Sequence, residues 1–596
     1  MIWNICFIIS IAILLCSVFA ALILTNKQKG NDVLSPFNVI LGGVFVSVFT
    51  GMIPMFAVML KDELFSVLKL VVFDVLQTIQ VFTVNVGADL ILDNINSSAT
   101  ALSGAYSTYM SALFFVAPIL TFGFLISLFK NALGKIRFII HYTKDIYAFS
   151  ELNDKSLLLA QNIKENHKDA MIIFANVDRD EGDISSESIK AAEKLKAIIF
   201  KSDIITIDFM KHSKTSQLTF FAIDETESDN LIQSLKLIDK YRCRKNTSLY
   251  MFSVGAEGEL LLANAEKGEI KVRRINEARS LIYRYLYDEG KTIFETAVGT
   301  NEGKKQIHAL VLGLGKYGTE VLKALTWFSQ MDGYSVKIDA FDKDELAEER
   351  FSALCPEIMS PEYNGRIIEG ESEYTVTIHS DTDISTKKFA DIISCLPEIT
   401  FVFVCLGDDE TNISQSANIR MLCERFGHKP SIKTVIYSTE KKDALTGASN
   451  YRGQPYNIDP VGDLETAYSE EILLGSELEN LALERHLKWG REEEFWQYEY
   501  NYRSSMASAV HMKAKISCGI SGAGKNEDDL TIEERDIIES LEHKRWNAYM
   551  RSEGYVYSGS PDKTSRNDLA KMHHDLVSFD NLTEEEKRKD SKVGTL

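Results

Sequence analysis

Three glycines follow an apolar run at the spacing that lets a polypeptide backbone approach a pyrophosphate. The stretch Ile307–Gly318 reads IHALVLGLGKYG and carries Gly313, Gly315 and Gly318. In this G-x-G-x-x-G fingerprint the first glycine permits a tight turn, the second admits the phosphate, and the third lets a helix pack on a strand. The helix predicted over Thr319–Phe328 offers free N–H groups to an anion at its N-terminus. The spacing therefore predicts a nucleotide-binding site.

An acidic residue at a suitable distance supports the same interpretation. A second strand, predicted over Ser335–Phe341, ends in Asp342, Lys343 and Asp344. Asp342 lies 24 residues beyond Gly318, close to where a carboxylate accepts the ribose hydroxyls in dinucleotide-binding folds. The alternative is a fold of the same class that has lost its ligand.

A further acidic turn follows the predicted fourth strand of this fold. The sequence FVFVCLGDDETN, residues 401–412, contains Gly407, Asp408, Asp409 and Asn412. Ligands bind at the carboxyl edge of parallel sheets, so these four residues are additional candidates for the site. The alternative is that the Asp and Asn side chains only cap the following helix.

Composition limits the classes of function. The chain has 596 residues, enough for three or four domains, and a formal charge of −20 from 65 Lys and Arg against 85 Asp and Glu. So acidic a chain is a poor candidate for nucleic-acid binding. The eight cysteines form no CxxC pair, so we expect no metal site and a reduced, cytosolic compartment for the soluble part.

Three uncharged apolar runs are long enough to cross a bilayer. They are Ile2–Thr25, Phe37–Leu60 and Tyr109–Phe129, the last reaching the basic residue at 130. The basic residues that flank these runs are Lys27, Lys29, Lys130, Lys135, Arg137 and Lys144. The positive-inside rule then predicts a three-span protein of the inner (cell) membrane, with its N-terminus outside and its later domains cytoplasmic. The alternative for the first run is a signal peptide, although no basic residue precedes it.

The segment 61–106, between the second and third runs, is predicted to be external or re-entrant. Its first half is apolar but carries polar residues, and Thr83, Asn85, Gly87 and Asp89 follow in the order TV-x-x-G-x-D. This order resembles the pore loop of potassium channels, which implies a filter lined by backbone carbonyls. The alternatives are an interfacial or re-entrant helix and a small external domain.

Beyond Lys144 short apolar strands alternate with amphipathic helices, which is the pattern of a parallel α/β sheet. The strands predicted for the first such unit are Ile146–Phe149, Ala170–Ala175, Ala197–Phe200, Thr219–Ile223 and Ser248–Ser253. The run Ser150–Ser156 stands where a nucleotide-binding loop would have glycines, and it has none. This unit therefore binds something else at its strand ends or builds an interface, which we favour. Its sequence FFAIDETESDN, residues 220–230, matches residues 401–412 in pattern and indicates an internal duplication.

The predicted fold class is multidomain, with an α-helical transmembrane bundle, two α/β doubly wound Rossmann-like domains and a small, mainly α domain. The predicted boundaries are 1–143 for the bundle, 144–300 and 301–450 for the Rossmann-like domains, 451–530 for a helical connector and 531–596 for the last domain.

The second Rossmann-like unit resembles the RCK domains (regulators of potassium conductance, or TrkA-type) in VLGLGKYG, DAFDKDE and CLGDDETN. The resemblance covers residues 307–439 well and residues 145–254 weakly. It implies a domain that binds nucleotides or ions, assembles into rings and gates conduction. Membrane helices followed by two such units also resemble large-conductance channels, which implies a homo-oligomer, most simply a tetramer.

The C-terminal segment resembles the ryanodine-receptor repeat (RyR domain). The matching features are EH-x-x-W at 542–546, Gly554 with an aromatic neighbour, KMHHDLVSF at 571–579 and a charged helix. The side chains that could form a second ligand site are His543, Arg545, Trp546, Tyr555, Lys571 and His573, the rings by stacking and the cations by meeting phosphate. The alternative is that Trp546 belongs to the core and Arg545 pairs with Glu542.

We find no nucleophile with a base and no pair of catalytic carboxylates, so we expect no enzyme. The leading hypothesis is a ligand-gated channel or pore-forming effector that senses a nucleotide, whether NAD-like, ATP/ADP or a nucleotide-derived messenger. Such sensors on small membrane bundles resemble effectors of prokaryotic antiviral systems. The alternatives are a housekeeping potassium channel, a membrane-anchored NAD(P)-dependent enzyme and a non-conducting scaffold.

Overall fold

The structure is a computed structural model, and it divides into two units. It describes residues 2–595 except 28–35, 60–65, 86, 99, 178–185, 211, 256–257, 260, 263–264, 301–302, 360–361, 364–365, 368–372, 448–449, 463 and 475–476. One unit comprises Met1–Tyr142 and Val177–Ser185, and the other comprises Thr143–Asn176 and Ser186–Leu596. Of the sequence features above, Lys29, Leu60 and residues 61–65 lie outside the described residues.

The first unit is helical. Its helices are α1 (Ile2–Lys27), α2 (Pro36–Met59), α3 (Ser66–Phe82), α4 (Ala88–Ser97) and α5 (Ser103–Ile140). Three stretches are long and apolar enough to cross a membrane, namely Ile2–Ile23, Phe37–Val58 and Ser103–Gly123. They confirm the three predicted runs as membrane-capable helices, with the third stretch beginning earlier than predicted.

Helices α3 and α4 occupy the segment between the second and third of these stretches. Val81 of α3 and Ile91 and Ile95 of α4 join the apolar core of the bundle, together with Val48 and Met110. Helix α3 also carries Asp74, whose side chain is fully buried and whose carboxylate oxygens have no hydrogen-bond partner among the described residues. An ionisable group in such surroundings is costly and is typical of an ion or proton pathway.

The resemblance to a pore loop does not extend to the backbone. The N–H of Asn85 donates to the carbonyl of Gln80 at 2.9 Å, and Val84 has a positive φ of 61°, so the chain turns here. Thr83 also closes onto the end of α3, and Asp89 lies in the first turn of α4. Within the described residues 83–85 and 87–89, the extended run of carbonyls that a filter requires is absent, because the chain forms a helix-to-helix turn instead.

The first parallel sheet lies at the start of the second unit. Its strands are β1 (Ile146–Phe149), β2 (Met171–Phe174), β3 (Ile198–Ile199), β4 (Leu218–Ala222), β5 (Thr247–Phe252) and β6 (Lys271–Ile275). The helices beside it are α6 (Asp154–Asn166), α7 (Ser186–Lys194) and α8 (Glu227–Tyr241). The strand order is β3-β2-β1-β4-β5-β6, the Rossmann order, and all pairings are parallel. The five predicted strands are confirmed, and β6 was missed because its sequence, KVRRI, is charged.

A second parallel sheet repeats this order. Its strands are β7 (Val298–Gly299), β8 (Lys305–Leu312), β9 (Tyr334–Phe341), β12 (Tyr374–His379), β13 (Phe401–Val404), β14 (Ser431–Val435) and β17 (Ile458–Val461), with β10 (Glu362–Tyr363) and β11 (Arg366–Ile367) forming a small hairpin, as do β15 (Asn450–Tyr451) and β16 (Gln454–Pro455). The order is β12-β9-β8-β13-β14-β17, with β7 antiparallel to β8. Because first, second and later strands take equivalent positions in both sheets, the topology agrees with an internal duplication.

Helices surround the second sheet and lead to the C-terminus. They are α9 (Glu277–Glu289), α10 (Lys291–Glu295), α11 (Lys316–Phe328), α12 (Ala347–Leu354), α13 (Pro356–Met359), α14 (Lys387–Cys395), α15 (Asp409–Phe426), α16 (Thr439–Gly447), α17 (Leu464–Ala467), α18 (Glu470–Leu473), α19 (Glu477–His486), α20 (Glu492–Gln497), α21 (Glu499–Ser517), α22 (Ile532–Ser552) and α23 (Glu584–Gly594). The short strands β18 (Val556–Tyr557) and β19 (Met572–His573) pair between α22 and α23. Helix α22 packs on α11, where the Trp327 and Tyr549 rings lie 6.2 Å apart.

Candidate functional site

Two of the three motif glycines are required by the fold itself. Gly313 has a φ of +89°, and a Cβ there would lie 2.6 Å from the carbonyl oxygen of Cys405 on the neighbouring strand end. A Cβ at Gly318 would lie 1.7 Å from the carbonyl oxygen of Gly313, because α11 packs directly on the turn. These positions admit no side chain whether or not a ligand binds.

Gly315 differs, because the space beside it is empty. A Cβ at this residue would have no atom within 4 Å. Gly315 is also the N-cap of α11, with no side chain bonding to the helix N-terminus. The first N–H groups of a helix have no partner within the helix, and the helix dipole favours negative charge there. The open space and the uncapped helix end together form a cradle for a phosphate group.

Asp342 shapes the loop that faces this cradle. Its carboxylate accepts hydrogen bonds from the N–H of Leu314 at 2.6 Å and from the N–H of Asp344 at 2.8 Å. Asp344 itself pairs with Arg350 and accepts from the N–H of Leu346, and it does not line the cavity. Asp342 therefore lies where the motif predicts an acid, whereas Asp344 organises the turn that follows.

The acidic turn after β13 agrees with the capping alternative. Asp408 caps α15 by accepting from the N–H of Thr411 at 2.9 Å, and Asp409 accepts from the N–H of Tyr437 at 2.7 Å. Asn412 accepts from the N–H of Leu406 at 2.6 Å and donates to the carbonyl of Val435 at 2.8 Å.

These side chains hold strand ends together. Of the four candidates in this turn, Gly407 lines the cavity, and its φ of +102° requires a glycine.

A cavity of about 620 Å³ opens from the cradle, a volume within the range of small-molecule sites. Its walls include several residues that were not among the predicted site residues, namely Lys316, Lys343, Thr382, Asp383, Ile384, Ser385, Gln415 and Tyr437. The residues 382–385 follow β12, which pairs with β9 at the carboxyl edge of the sheet. The sequence feature that could have identified these residues is their position directly after a strand of the parallel sheet, because no motif contains them.

A buried carboxylate connects the cradle with the first sheet. Glu277, at the start of α9, lies 3.1 Å from the amine of Lys155 in α6 and 3.3 Å from that of Lys316 in the glycine loop. It also accepts from the hydroxyls of Tyr317 and Tyr468. Burial by itself raises the pKa of Glu277, but the two lysines and Tyr468 outweigh it and hold that pKa below its ordinary value. Glu277 is therefore the anion that two sheets share.

The equivalent loop of the first sheet is filled by side chains. The hydroxyl of Ser150 donates to Asp224 at 2.5 Å and accepts from the N–H of Ile223 at 2.9 Å. Asn153 caps α6 and donates to the carbonyl of Ile223. Burial raises the pKa of Asp224, whose carboxylate also accepts from Gln233. This loop has no cradle of the kind at Gly315, and an interface role for the first unit stays a prediction.

The six residues predicted for a second site fall into two cavities. His543, Arg545, Trp546 and His573 line one of about 650 Å³. Tyr555 and Lys571 line another of about 740 Å³, and Lys571 donates to the carbonyl of Glu553 at 2.7 Å. The six residues therefore line two neighbouring cavities that share Tyr500, Asn501 and Arg566. A common ligand site for all six stays a prediction.

Within the first of these cavities the side chains also make internal contacts. Arg545 is buried, and its Nη2 donates to Oε1 of Glu542 at 2.8 Å. This agrees with the alternative that Arg545 pairs with Glu542. His543 lies near the carbonyl of Val577 at 2.9 Å. Trp546 is only half-buried, so its ring is available at the cavity wall. Arg485, Lys488 and Trp489, from the connector, line the same cavity and carried no motif that would have marked them.

One group of adjacent side chains in the described part of the chain brings metal-ligand atoms together. His573, His574 and Asp575 each place one such atom within 4.8 Å of the others. The group lies on the wall of the 650 Å³ cavity, where basic side chains outnumber acidic ones. The positive electrostatic potential of this wall disfavours a divalent cation. The expected absence of a metal stays a prediction.

Comparisons with known proteins add little beyond the fold. No protein family model matches the chain, and no curated protein matches it. Among solved structures, a point mutant of GsuK shares 14% identity over 73% of this chain and 96% of its own, with a TM-score of 0.33. A dipicolinate synthase chain from Bacillus halodurans shares 15% over 48% and 89%, with a TM-score of 0.17.

Likenesses at this level carry no argument about function. What the structure confirms by itself is two parallel sheets of Rossmann order and three helices able to cross a membrane. The resemblances to RCK domains and to the ryanodine-receptor repeat stay predictions.

Proposed function

We propose that this chain is a ligand-gated membrane channel whose cytoplasmic part binds a nucleotide at Gly315. The main observation in support of this proposal is the open cradle at the uncapped N-terminus of α11, beside a cavity of about 620 Å³. The membrane-capable helices and the buried, unpartnered Asp74 support a conducting bundle. Gating then requires only that the nucleotide bind one conformation of the protein more tightly than the other.

The residues around the cradle favour binding over catalysis. Burial raises the pKa of the Cys405 thiol to about 12, and burial with the nearby Glu277 raises that of the Tyr437 hydroxyl to about 12. Both groups are therefore protonated at neutral pH and are poor proton acceptors or nucleophiles. We propose a sensor rather than an enzyme, with an NAD-like molecule, ATP, ADP or a nucleotide-derived messenger as its ligand.

The proposal extends to the setting. The N-terminus lies outside and the two sheets lie in the cytoplasm, as the basic residues after α1 and within α5 indicate. A pore-forming effector of antiviral signalling and a housekeeping potassium channel would use the same parts. They differ in the ligand that opens them and in the ions that pass.

Ion flux tests this proposal directly. Full-length protein in liposomes loaded with a fluorescent potassium indicator is expected to release ions when a nucleotide is added, because ligand binding drives the conducting state. A panel of NAD, ATP, ADP and cyclic dinucleotides identifies the ligand, and a larger dye separates an ion channel from a wide pore. Turnover of reduced cofactor without flux would contradict the channel and support the NAD(P)-dependent enzyme.

Assembly provides a second expected result. Three membrane-capable helices from one chain enclose no pore, so we expect a homo-oligomer, most simply a tetramer. Mass photometry of the detergent-solubilised protein measures the number of protomers. A strict monomer at all protein concentrations would remove the channel from consideration.

A further inference from the structure

Four charged side chains lie buried where α19 and α22 pack on α21. Arg485 of α19, Lys515 of α21 and Arg545 of α22 surround the single carboxylate of Glu542, and all four are at most 2% exposed. Glu542 lies 2.8 Å from Nη2 of Arg545 and 3.3 Å from the amine of Lys515. Arg485 reaches the same carboxylate through the hydroxyl of Ser508. Among the described residues, three buried cations thus share one buried anion.

Both arginines keep a donor unused. Nη1 of Arg545 and Nη2 of Arg485 are buried and have no hydrogen-bond partner among the described residues. A buried charged donor without a partner costs the full desolvation penalty, so these two nitrogens indicate a missing acceptor. Burial, and then Arg545, also hold the pKa of Arg485 down at about 10 despite Glu542, as expected where positive charge is in excess.

The cavity that these arginines line is the 650 Å³ cavity described above. Seven of its lining side chains are basic and four are acidic, although the whole chain carries −20. Aromatic rings complete the wall, since Trp546 and His543 lie 6.0 Å apart in a stacked arrangement. Nδ1 of His574, a residue of the same wall, also has no hydrogen-bond partner. Guanidinium groups match phosphate oxygens, and an exposed aromatic face stacks on a base.

We infer that this cavity is a second ligand site, which binds the phosphates of a nucleotide between Arg485 and Arg545 and stacks its base on Trp546. The site is separate from Gly315 and does not depend on the function proposed there. Arg485 belongs to α19 and Arg545 to α22, so the bound phosphates join two helices that are distant in the sequence. The ligand is an anion, because in the described part of the chain the buried cations of this cluster outnumber its carboxylate.

Calorimetry on the full-length protein in detergent tests this site, with sodium pyrophosphate and ADP as probes. The measurements use the Gly315→Asp background, so that binding at the glycine loop does not contribute. We expect saturable binding of both probes, with ADP bound more tightly because its base stacks. Arg485→Met and Arg545→Met should each weaken binding about tenfold or more. Arg545→Lys, which keeps the charge and loses the planar fork, should weaken it less.

The control is Arg420→Met, the same change at a half-buried arginine that lines neither cavity. It should leave the affinity for pyrophosphate unchanged. Melting temperatures of all variants check the fold, and Arg545→Lys keeps the test informative if a methionine variant unfolds. No binding of pyrophosphate or ADP in the Gly315→Asp background, or equal affinity in Arg545→Met and the control, would overturn the inference. Loss of binding in an arginine variant supports the inference when the melting temperature shows that the variant remains folded.

Discussion

Gly315→Asp is expected to abolish nucleotide binding at the glycine loop and leave the protein folded. A side chain at Gly315 meets no atom of the protein, but it fills the space in which a phosphate would lie. Its negative charge also repels the ligand, so the affinity should fall at least about 100-fold. Aspartate is a favourable N-cap, so the free energy of unfolding should rise or stay within about 1 kcal/mol.

Nucleotide titration of the full-length variant by calorimetry measures the affinity, and its melting temperature measures the stability. Gly299→Asp is the matched control, because Gly299 also has free space for a Cβ but lies on β7, away from the cavity. Gly318→Ala gives the contrast, since its Cβ collides with Gly313 and should unfold the loop. Unchanged nucleotide affinity in Gly315→Asp would show that the cradle is not the binding site.

Glu553→Gln is expected to have the largest effect on stability, at about 3–5 kcal/mol. Glu553 follows α22 and lies 2.8 Å from Arg279 of α9 and 3.1 Å from Arg503 of α21. Arg279 also pairs with Glu320 of α11 at 2.9 Å. The neutral amide leaves the two arginines with less compensating charge in a buried place, where α9, α11, α21 and the end of α22 meet.

The same residue predicts a dependence on pH. Burial by itself raises the pKa of Glu553, but Arg279 and Arg503 outweigh it and lower that pKa from 4.5 to about 2. A lowered carboxyl pKa stabilises the fold above pH 4.5, and this contribution is lost as the pH falls from 4.5 towards 2. Melting temperatures between pH 7 and pH 3 should fall steeply in the wild type and less in Glu553→Gln. Glu349→Gln, at an exposed helix position, is the control. Parallel pH profiles for all three proteins would contradict this role of Glu553.

Local sequence was sufficient for the features that depend on local chemistry. Apolar length identified the three membrane-capable helices of the first unit, and the glycine spacing placed Gly313, Gly315 and Gly318 at a strand-to-helix turn. Local sequence did not decide between capping and ligand contact for Asp408 and Asp409, because a carboxylate at a helix N-terminus suits both roles.

The remaining features depend on contacts between distant segments. Arg485 and Arg545 are 60 residues apart, and the cavity they share exists only once α19 and α22 have both packed on α21. Tyr555, Lys571 and Trp546 belong to one predicted motif. Tyr555 and Lys571, which lie beside the paired strands β18 and β19, nevertheless line another cavity. The turn after α3 matches a pore loop in residue order, but backbone hydrogen bonds to Gln80 determine its shape.

The shared carboxylate of Glu277 has a consequence for the sheet that has no phosphate cradle. A single anion divides its attraction between Lys155 and Lys316, so a phosphate that draws Lys316 towards the glycine loop leaves Glu277 to bind Lys155 more strongly. A ligand bound at the glycine loop would then affect the first sheet without contacting it. On the proposed function, thermodynamic reciprocity gives the converse as well, because a partner that occupies Lys155 would change how tightly the second sheet holds its ligand. Competition of Lys155 and Lys316 for one carboxylate would then couple the two copies of the fold electrostatically.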